Sequence, residues 1–227
     1  MKVIILDSVT STSDYLLRFV GDGENVAVFA KKQTGGRGTK GRSFVSDEGG
    51  VYVSVLKYYP NLTADRAYSI VSETAVAVVK TLSAFGVKAQ IKWPNDIFVD
   101  GKKICGILTE NRLENGRVLY SIIGIGINVN NDLAAEIADI ATSAYRVLGK
   151  RLDLESVYAT LIYNLEHPDT AEGLYEKYSC VIGKNILVIY PDGSERSAIA
   201  QGILPDGRLK LADGEILSSA EIKINLE

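Results

Sequence analysis

A glycine-rich basic segment, residues 33–42, is well suited to holding an anion. It reads Gln-Thr-Gly-Gly-Arg-Gly-Thr-Lys-Gly-Arg. Glycines let the backbone approach a ligand, and successive N–H groups can form an anion-binding concavity. Arg37, Lys40 and Arg42 add cationic donors for a phosphate or a carboxylate. A Rossmann fingerprint is excluded because residues 42–46 do not begin a helix, and the Gly-Lys-Ser/Thr of a Walker A loop is absent. A solvated basic loop is the alternative interpretation.

Two further segments carry a lysine or a carboxylate that could do chemistry. In residues 92–96 (Lys-Trp-Pro-Asn-Asp), the carboxylate of Asp96 could orient or deprotonate an amine. In residues 102–108, Lys103 stands at the mouth of an apolar strand and could direct its ammonium at a ligand on the sheet. The alternatives are that both groups belong to exposed turns. We interpret Trp93, which precedes a proline that restricts the backbone, as a core anchor.

Glycines alternate with isoleucines in residues 124–128 (Gly-Ile-Gly-Ile-Asn). Because successive strand residues face opposite sides of a sheet, Gly124 and Gly126 share one face. They leave a flat floor on which a ligand can lie against the backbone. The alternative is that these glycines admit a bulky side chain from another strand.

The order of elements predicts an α+β fold, with helices packed on a mixed or antiparallel central sheet. Apolar residues between 63 and 85 recur at helical spacing, and Gly86 suits the end of that helix. The Asp-Gly pair at 100–101 and the Asn-Gly pair at 115–116 predict hairpins. Residues 11–14 offer N-caps for a helix that begins before residues 15–17, and two more helices are predicted from Asp153 to about Leu165 and from about Pro168 to Tyr178. Strands are predicted at residues 3–6, 26–30, 51–56, 89–92, 97–99, 103–110 and 118–129.

The sequence changes character after Cys180. Short apolar runs are separated by Asp-Gly pairs at 192–193, 206–207 and 213–214. Such closely spaced turns predict a small β-barrel. We therefore predict two domains, residues 1–178 and residues 179–227.

Composition excludes several classes of protein. The 227 residues are 46% hydrophobic with a formal net charge of −3, which argues against disorder and against a dedicated nucleic-acid binder. Two cysteines are too few for a disulfide scaffold or a closed zinc site, so a reduced, cytoplasmic protein is expected. No apolar run approaches the roughly 20 residues that span a membrane. The single histidine, His167, excludes a two-histidine metal site.

In this order, these segments resemble the biotin–protein ligase family, the biotin–[acetyl-CoA-carboxylase] ligases. The most specific feature is the Lys-Trp-Pro-Asn-Asp word at 92–96, followed by a Lys-x-x-Gly-Ile-Leu word at 103–108. Residues 11–13, 33–42 and 124–128 complete a resemblance that covers essentially the whole chain. It implies a catalytic domain like that of class II synthetases and a small C-terminal SH3-like β-barrel.

The resemblance implies a two-step reaction. ATP and biotin give biotinyl-5′-AMP and pyrophosphate, and the biotinyl group then passes to a lysine of a biotin carboxyl carrier domain. By resemblance, Lys103 is the principal catalytic lysine, near the biotin carboxylate and the α-phosphate. Arg37 and its loop would fold over the adenylate and exclude water. Asp96 would prepare the acceptor lysine, which must lose a proton before it attacks. Mg²⁺ would accompany the phosphates of ATP, without a dedicated protein site.

The resemblance also implies the residues that bind the substrates. Ser11, Thr12 and Gln33 would bind the ureido ring of biotin. The glycine face would line the biotin slot, Asn128 would face the nucleotide phosphates, and Phe44 would lie near the adenine. The full set of binding residues is Ser11, Thr12, Gln33, Gly35, Gly36, Arg37, Gly38, Thr39, Arg42, Phe44, Trp93, Asn95, Lys103, Gly106, Gly124, Gly126 and Asn128.

Two of these positions depart from the family pattern. Thr39 stands where many members have an arginine that helps to hold the adenylate, which leaves the retention of that intermediate open. Phe44 stands where members often have tryptophan, so stacking would continue with less area.

The resemblance favours a homodimer. Longer regulatory members carry an N-terminal helix-turn-helix, whereas here the ligase segment starts at residue 1, so we expect no operator binding. The net charge of −3 and the lack of a long apolar run predict no other nucleic-acid partner and no membrane partner. The nearest alternative enzyme is a lipoate–protein ligase, which shares the fold and the acyl-adenylate chemistry. A non-catalytic binding module is the alternative from another class.

Overall fold

The computed structural model describes residues 1–169, 171, 173–218 and 220–224. Two β-sheets with packed helices confirm the predicted α+β class. The strands are β1 (Lys2–Val9), β2 (Val26–Gln33), β3 (Val51–Tyr58), β4 (Gln90–Lys92), β5 (Asp96–Val99), β6 (Lys102–Glu114), β7 (Arg117–Ile127), β8 (Asn185–Ile189), β9 (Glu195–Ile203), β10 (Leu209–Leu211), β11 (Ile216–Leu217) and β12 (Glu221–Ile224). The helices are α1 (Thr12–Leu16), α2 (Tyr68–Ala84), α3 (Ala144–Leu148), α4 (Leu154–Glu166) and α5 (Leu174–Tyr178), with short 3₁₀ turns at 17–19, 39–41, 64–66 and 135–137.

The first sheet has the strand order β1-β2-β3-β7-β6-β5-β4. β1 runs parallel to β2, and the other neighbouring strands are antiparallel, so the sheet is mixed. Side-chain alternation divides it into two faces. Val53 and Val55 of β3, with Ile123 and Ile125 of β7, enter the main core together with apolar residues of α2 and α4. The intervening residues of β3 and β7 face the side on which α1 packs.

Both predicted hairpin turns of this sheet are confirmed. Asp100 and Gly101 have φ values of 48° and 77°, and Asn115 and Gly116 have φ values of 49° and 74°. Two-residue hairpin turns of this kind require positive φ at both central residues. Asp-Gly and Asn-Gly pairs adopt such left-handed conformations more readily than bulky or β-branched residues do. The first turn joins β5 to β6, and it therefore brings Asp96 and Lys103 onto neighbouring strands.

The helices agree with the sequence in three cases and differ in a fourth. α1 follows the predicted N-cap residues, with Ser11 as its N-cap. α2 occupies the predicted apolar stretch. Asp153 caps α4 by accepting a hydrogen bond from the Ser156 N–H at 3.0 Å. The prediction of a helix from Pro168 was wrong, because α5 begins only at Leu174, after Gly173 adopts φ 74°; residues 170 and 172 lie outside the described residues. Within the described ranges, no helix combines the length and the apolar character needed to span a membrane.

The second sheet has the order β11-β10-β9-β8-β12 and confirms the small C-terminal β-module. Gly193, Gly207 and Gly214 sit in its Asp-Gly turns with φ between 85° and 95°. Its core includes Val181, Ile186 and Trp93, although Trp93 comes from the stretch between β4 and β5. The division at residue 178 stays a prediction.

Candidate active site

A cavity opens on the face of the first sheet that α1 covers. Most of the predicted site residues line it. They are Ser11, Thr12, Gln33, Arg37, Gly38, Thr39, Phe44, Asn95, Asp96, Lys103, Gly106, Gly124 and Gly126. Gly35, Gly36, Arg42, Trp93 and Asn128 are not part of its wall. The segments singled out from the sequence thus converge on one place, although they come from distant parts of the chain.

One end of the cavity is a buried cluster of neutral polar groups. Thr12 Oγ1 donates to Gln33 Oε1 at 2.9 Å and lies 2.7 Å from Ser54 Oγ. Ser13 Oγ lies 2.9 Å from Ser54 Oγ, and Gln33 Nε2 donates to Ser46 Oγ at 2.9 Å. Hydroxyls can reverse their donor and acceptor roles, so the cluster can bind a ligand that presents both an N–H and a carbonyl.

The sequence did not indicate three members of this polar cluster, Ser13, Ser46 and Ser54. Ser54 is a polar residue inside the apolar strand β3, and that interruption was the available signal. Ser13 lies in α1, whose N-cap is Ser11; the Ser11 hydroxyl accepts a hydrogen bond from the Asp14 N–H at 3.3 Å. The cap fixes the start of the helix and so places Thr12 and Ser13 against β3.

The charged end of the cavity is an ion pair between Lys103 and Asp96. Lys103 Nζ lies 2.6 Å from Asp96 Oδ1, and both side chains are about two-thirds buried or more, with 34% and 26% exposure. The backbone of Lys103 is held on both sides, since its N–H donates to the Ile140 carbonyl and its carbonyl accepts from the Thr142 N–H, both at 2.9 Å. An anion that approaches Lys103 therefore competes with Asp96 for the ammonium.

The glycine face forms the floor between these two ends. Gly106 of β6 pairs with Gly126 of β7. A Cβ on Gly126 would lie 2.5 Å from Cε1 of Phe44, and one on Gly106 would lie 3.1 Å from Lys103 Nζ. The ring of Phe44 thus rests on the floor. Phe44 lies between β2 and β3 and belongs to neither, so this bulky neighbour comes from a loop and not from another strand, as the alternative interpretation had expected. The same floor remains part of the cavity wall.

The glycine-rich loop reaches over the mouth of the cavity. A Cβ on Gly36 would lie 2.4 Å from the Phe44 carbonyl oxygen, so only glycine allows this close passage. The Arg37 guanidinium is half-exposed and contacts two carboxylates, Asp14 at 2.8 Å and Glu110 at 3.2 Å. Arg37 therefore links the loop to α1 and to β6.

Three predicted site residues point elsewhere. Trp93 is 3% exposed and its Nε1–H donates to the Gly207 carbonyl at 2.8 Å, in agreement with a core anchor. Arg42 pairs with Glu221 of the C-terminal sheet at 3.2 Å. Asn128 is buried, and its Nδ2 donates to the Thr142 carbonyl at 3.1 Å beside the Lys103 backbone.

Comparison with known proteins places this site in a family. The model of the Biotin/lipoate A/B protein ligase family matches residues 5–128, which is more than half of the chain. The chain belongs to this family. The matched stretch of this ligase-family chain includes the polar cluster, the Lys103–Asp96 ion pair and the glycine floor.

Individual relatives agree with that family. The bifunctional ligase/repressor BirA of Bacillus subtilis is 38% identical over 218 residues, 88% of this chain and 66% of that protein. The biotin–[acetyl-CoA-carboxylase] ligase of Mycobacterium tuberculosis is 26% identical over 93% of this chain and 83% of that protein. The chain spans only 66% and 54% of the lengths of the two Bacillus BirA proteins that it matches.

A solved structure extends the similarity to the whole ligase fold. The biotin protein ligase of Aquifex aeolicus, in complex with biotin and ATP, is 26% identical and superposes with a TM-score of 0.81. The match covers 100% of this chain and 99% of that one. Both sheets described above therefore belong to the architecture of the family.

Proposed function

We propose that this protein is a biotin–protein ligase. It forms biotinyl-5′-AMP from biotin and ATP, and it transfers the biotinyl group to a lysine of a biotin carboxyl carrier domain. The observation that carries the proposal is that one cavity joins a neutral polar cluster to the Lys103 ammonium. The cluster suits the ureido ring of biotin, which offers one carbonyl and two N–H groups. The ammonium suits the carboxylate at the other end of the same molecule.

In the first step, Lys103 brings two anions together. An oxygen of the biotin carboxylate attacks the α-phosphorus of ATP, and the bond to pyrophosphate breaks. Both reactants carry negative charge, so a cation between them lowers the energy of the transition state. Two hydrogen bonds fix the backbone of Lys103, and its side chain already lines the cavity. When the substrates bind, their oxygens replace Asp96 as the partner of the Lys103 ammonium.

In the second step, that exchange frees Asp96 to act on the acceptor. The lysine of the carrier is protonated in water and must lose a proton to become a nucleophile. The carboxylate of Asp96 lines the same cavity and accepts this proton. The amine nitrogen then attacks the carbonyl carbon of the mixed anhydride, and AMP leaves. One ion pair therefore serves both steps in turn.

The proposal also covers the metal ion, the cellular location, the oligomeric state and the domain boundary. The described residues contain no cluster of three or more metal-ligating side chains, and Mg²⁺ would be held chiefly by the phosphate oxygens of ATP. Cys105 and Cys180 are free thiols, which suits a reducing, cytoplasmic location. We further propose a homodimer, and a boundary between catalytic and barrel domains near residue 178, where the second sheet is about to begin.

The test of the proposal is biotin-dependent release of pyrophosphate from ATP. We expect release with biotin and none with lipoate or without an acid. Transfer is then measured with a purified carrier domain as acceptor. Release with lipoate alone would assign the chain to the other branch of the family. A folded sample that releases pyrophosphate with neither acid would contradict the proposal.

Replacing Thr12 with valine should weaken biotin binding selectively. Valine keeps the shape but removes the hydroxyl that contacts both Gln33 and Ser54. Loss of a buried hydrogen-bonding group costs roughly 1–3 kcal/mol, which corresponds to an increase of about 5- to 150-fold in the biotin Kd. Calorimetry with biotin measures this value, and the KM for ATP is the internal control. An unchanged Kd would remove the polar cluster from the biotin site.

A further inference from the structure

The catalytic cavity is followed along the same face of the sheet by an open groove. On β7, Gly126 and Gly124 form the cavity floor, and the next residues of that face, Ile122 and Tyr120, line the groove. We call this space the side groove. It lies between α1 and the parts of β6 and β7 beyond the cavity. Ser13 of the polar cluster lines both spaces, so the side groove adjoins the polar end of the cavity.

The Arg37 side chain stands at the boundary, because it also lines both spaces. Its Nη2 lies 2.8 Å from Asp14 Oδ1 on α1 and 3.2 Å from Glu110 Oε2 on β6. α1 packs over β2, β3 and β7, whereas β6 lies on the other side of β7. Glu110 is paired with Ile122 across the two strands. The three charged side chains, which we call the Arg37 bridge, therefore cross above β7 between the cavity and the side groove.

Opening of the Arg37 bridge requires the glycine-rich loop to move. Residues 36–38 and 42–44 run antiparallel, and the Gly38 N–H donates to the Arg42 carbonyl at 2.7 Å. Arg37 lies in the middle of this short hairpin and moves with it. Both partners of its guanidinium are carboxylates of the protein, so the bridge needs no substrate group. It therefore stabilises the closed loop equally in free and in substrate-bound protein.

The Arg37 bridge is weak enough to open. Its three side chains are between 43% and 49% exposed. Ion pairs with this exposure to water contribute little to stability, because solvent screens them and two long side chains must be held in place. A contact of this strength suits a part that opens and closes repeatedly.

We propose that Asp14 and Glu110 hold Arg37 as a gate between the cavity and the side groove, and that biotin enters and leaves past this gate. The inference rests on the proposed function, because it takes biotin as the ligand of the cavity. Asp14 and Glu110 do not line the cavity and act as positioning residues, through Arg37. A gate that is equally stable in free and bound protein slows association and dissociation by the same factor, so it leaves the Kd unchanged.

The test compares Glu110→Gln with Glu114→Gln. Glutamine keeps the size of the side chain and removes the charge that attracts Arg37. Glu114 is an exposed carboxylate at the end of the same strand and lines neither the cavity nor the side groove, which makes it the matched control. Stopped-flow kinetics measures the association and dissociation rate constants of biotin.

We expect Glu110→Gln to raise both rate constants by the same factor of about two to five, the range for one exposed ion pair. The Kd should stay at the wild-type value. Addition of Asp14→Asn should raise both rate constants further, and Glu114→Gln should change neither. Unchanged rate constants in folded Glu110→Gln protein, or a change confined to dissociation, would overturn the gate.

Hydrogen exchange in the absence of substrates gives a second readout that needs no activity. The Gly38 and Phe44 amides donate to loop carbonyls and are protected while the loop is closed. In Glu110→Gln they should exchange faster by the same factor of about two to five, and in Glu114→Gln at the wild-type rate. Equal exchange in wild type and Glu110→Gln would also overturn the gate. Failure of the proposed function would instead appear as wild-type protein that releases no pyrophosphate with biotin, whatever its exchange rates.

Discussion

Replacing Lys103 with methionine should slow biotin-dependent pyrophosphate release by about 10²- to 10³-fold, the usual effect of removing a group that stabilises transition-state charge. Methionine fills a similar volume but cannot screen the two anions. The polar cluster that would hold the ureido ring is untouched, so biotin should still bind with a Kd within a few-fold of wild type. Single-turnover formation of the adenylate measures the loss directly.

Lys102→Met is the matched control for this change. Lys102 is the preceding residue, but its Nζ donates to the Ala138 carbonyl at 2.8 Å and does not line the cavity. We expect it to retain most of the activity. Both variants should stay folded, because Lys103→Met removes one partly exposed ion pair worth up to about 1 kcal/mol. Wild-type adenylation by a folded Lys103→Met protein would exclude Lys103 as the catalytic lysine.

Local sequence patterns were sufficient for the parts of the site that depend on a single strand or turn. Alternation placed Gly124 and Gly126 on one face, because strand residues have a period of two. The Asp-Gly pair at 100–101 predicted the hairpin that brings Asp96 to Lys103. The shared glycine face and the nearness of Asp96 to Lys103 both follow from these short-range rules.

Contacts between distant segments could not be read in the same way. Ser54 meets Ser13 across 41 residues, and Trp93 meets Gly207 across 114 residues. Nothing in the local pattern of either segment specifies its partner. The helix expected from Pro168 failed for a related reason, since a left-handed Gly173 determines where α5 begins.

Lys92 illustrates a third limit of the sequence. The Lys-Trp-Pro-Asn-Asp word at 92–96 predicts a core anchor at Trp93 and a chemical role for Asp96, but it indicates no role for Lys92. Whether a lysine is solvated or desolvated depends on neighbours from other elements, here Phe98 and the barrel strand with Glu221. Only the assembled fold shows that this cation borders the catalytic cavity.

The contact between the barrel and the catalytic segment leads to a second large effect, for Gly207→Ala. The Gly207 carbonyl accepts the indole N–H of Trp93, and a Cβ on Gly207 would lie 2.1 Å from the ring of Tyr68. The residue also has φ 86°. Overpacking and left-handed strain together should lower the free energy of unfolding by about 3 kcal/mol. Urea denaturation measures this loss.

Gly193→Ala separates strain from contact. Gly193 lies in a matching Asp-Gly turn of the same sheet with φ 85°, and no atom lies within 4 Å of its Cβ position. We expect it to cost about 1 kcal/mol, from the left-handed conformation alone. The difference between the two variants therefore measures the cost of the clash between the new methyl group and the Tyr68 ring. Equal losses would show that the Tyr68 ring moves aside without cost.

The same pair of variants tests whether the barrel positions the catalytic segment. Trp93 lies three residues before Asp96, and the Asn95 side chain is held by the Ile107 carbonyl at 2.5 Å. Displacement of the Trp93 indole should therefore move Asp96 slightly. Because small displacements of a reacting group slow a reaction strongly, we expect the rate of transfer to the carrier to fall by about tenfold. Gly193→Ala should transfer at the wild-type rate. Combining Gly207→Ala with Tyr68→Ala makes room for the new methyl group, so the double variant should lose less stability than the sum of the two single changes.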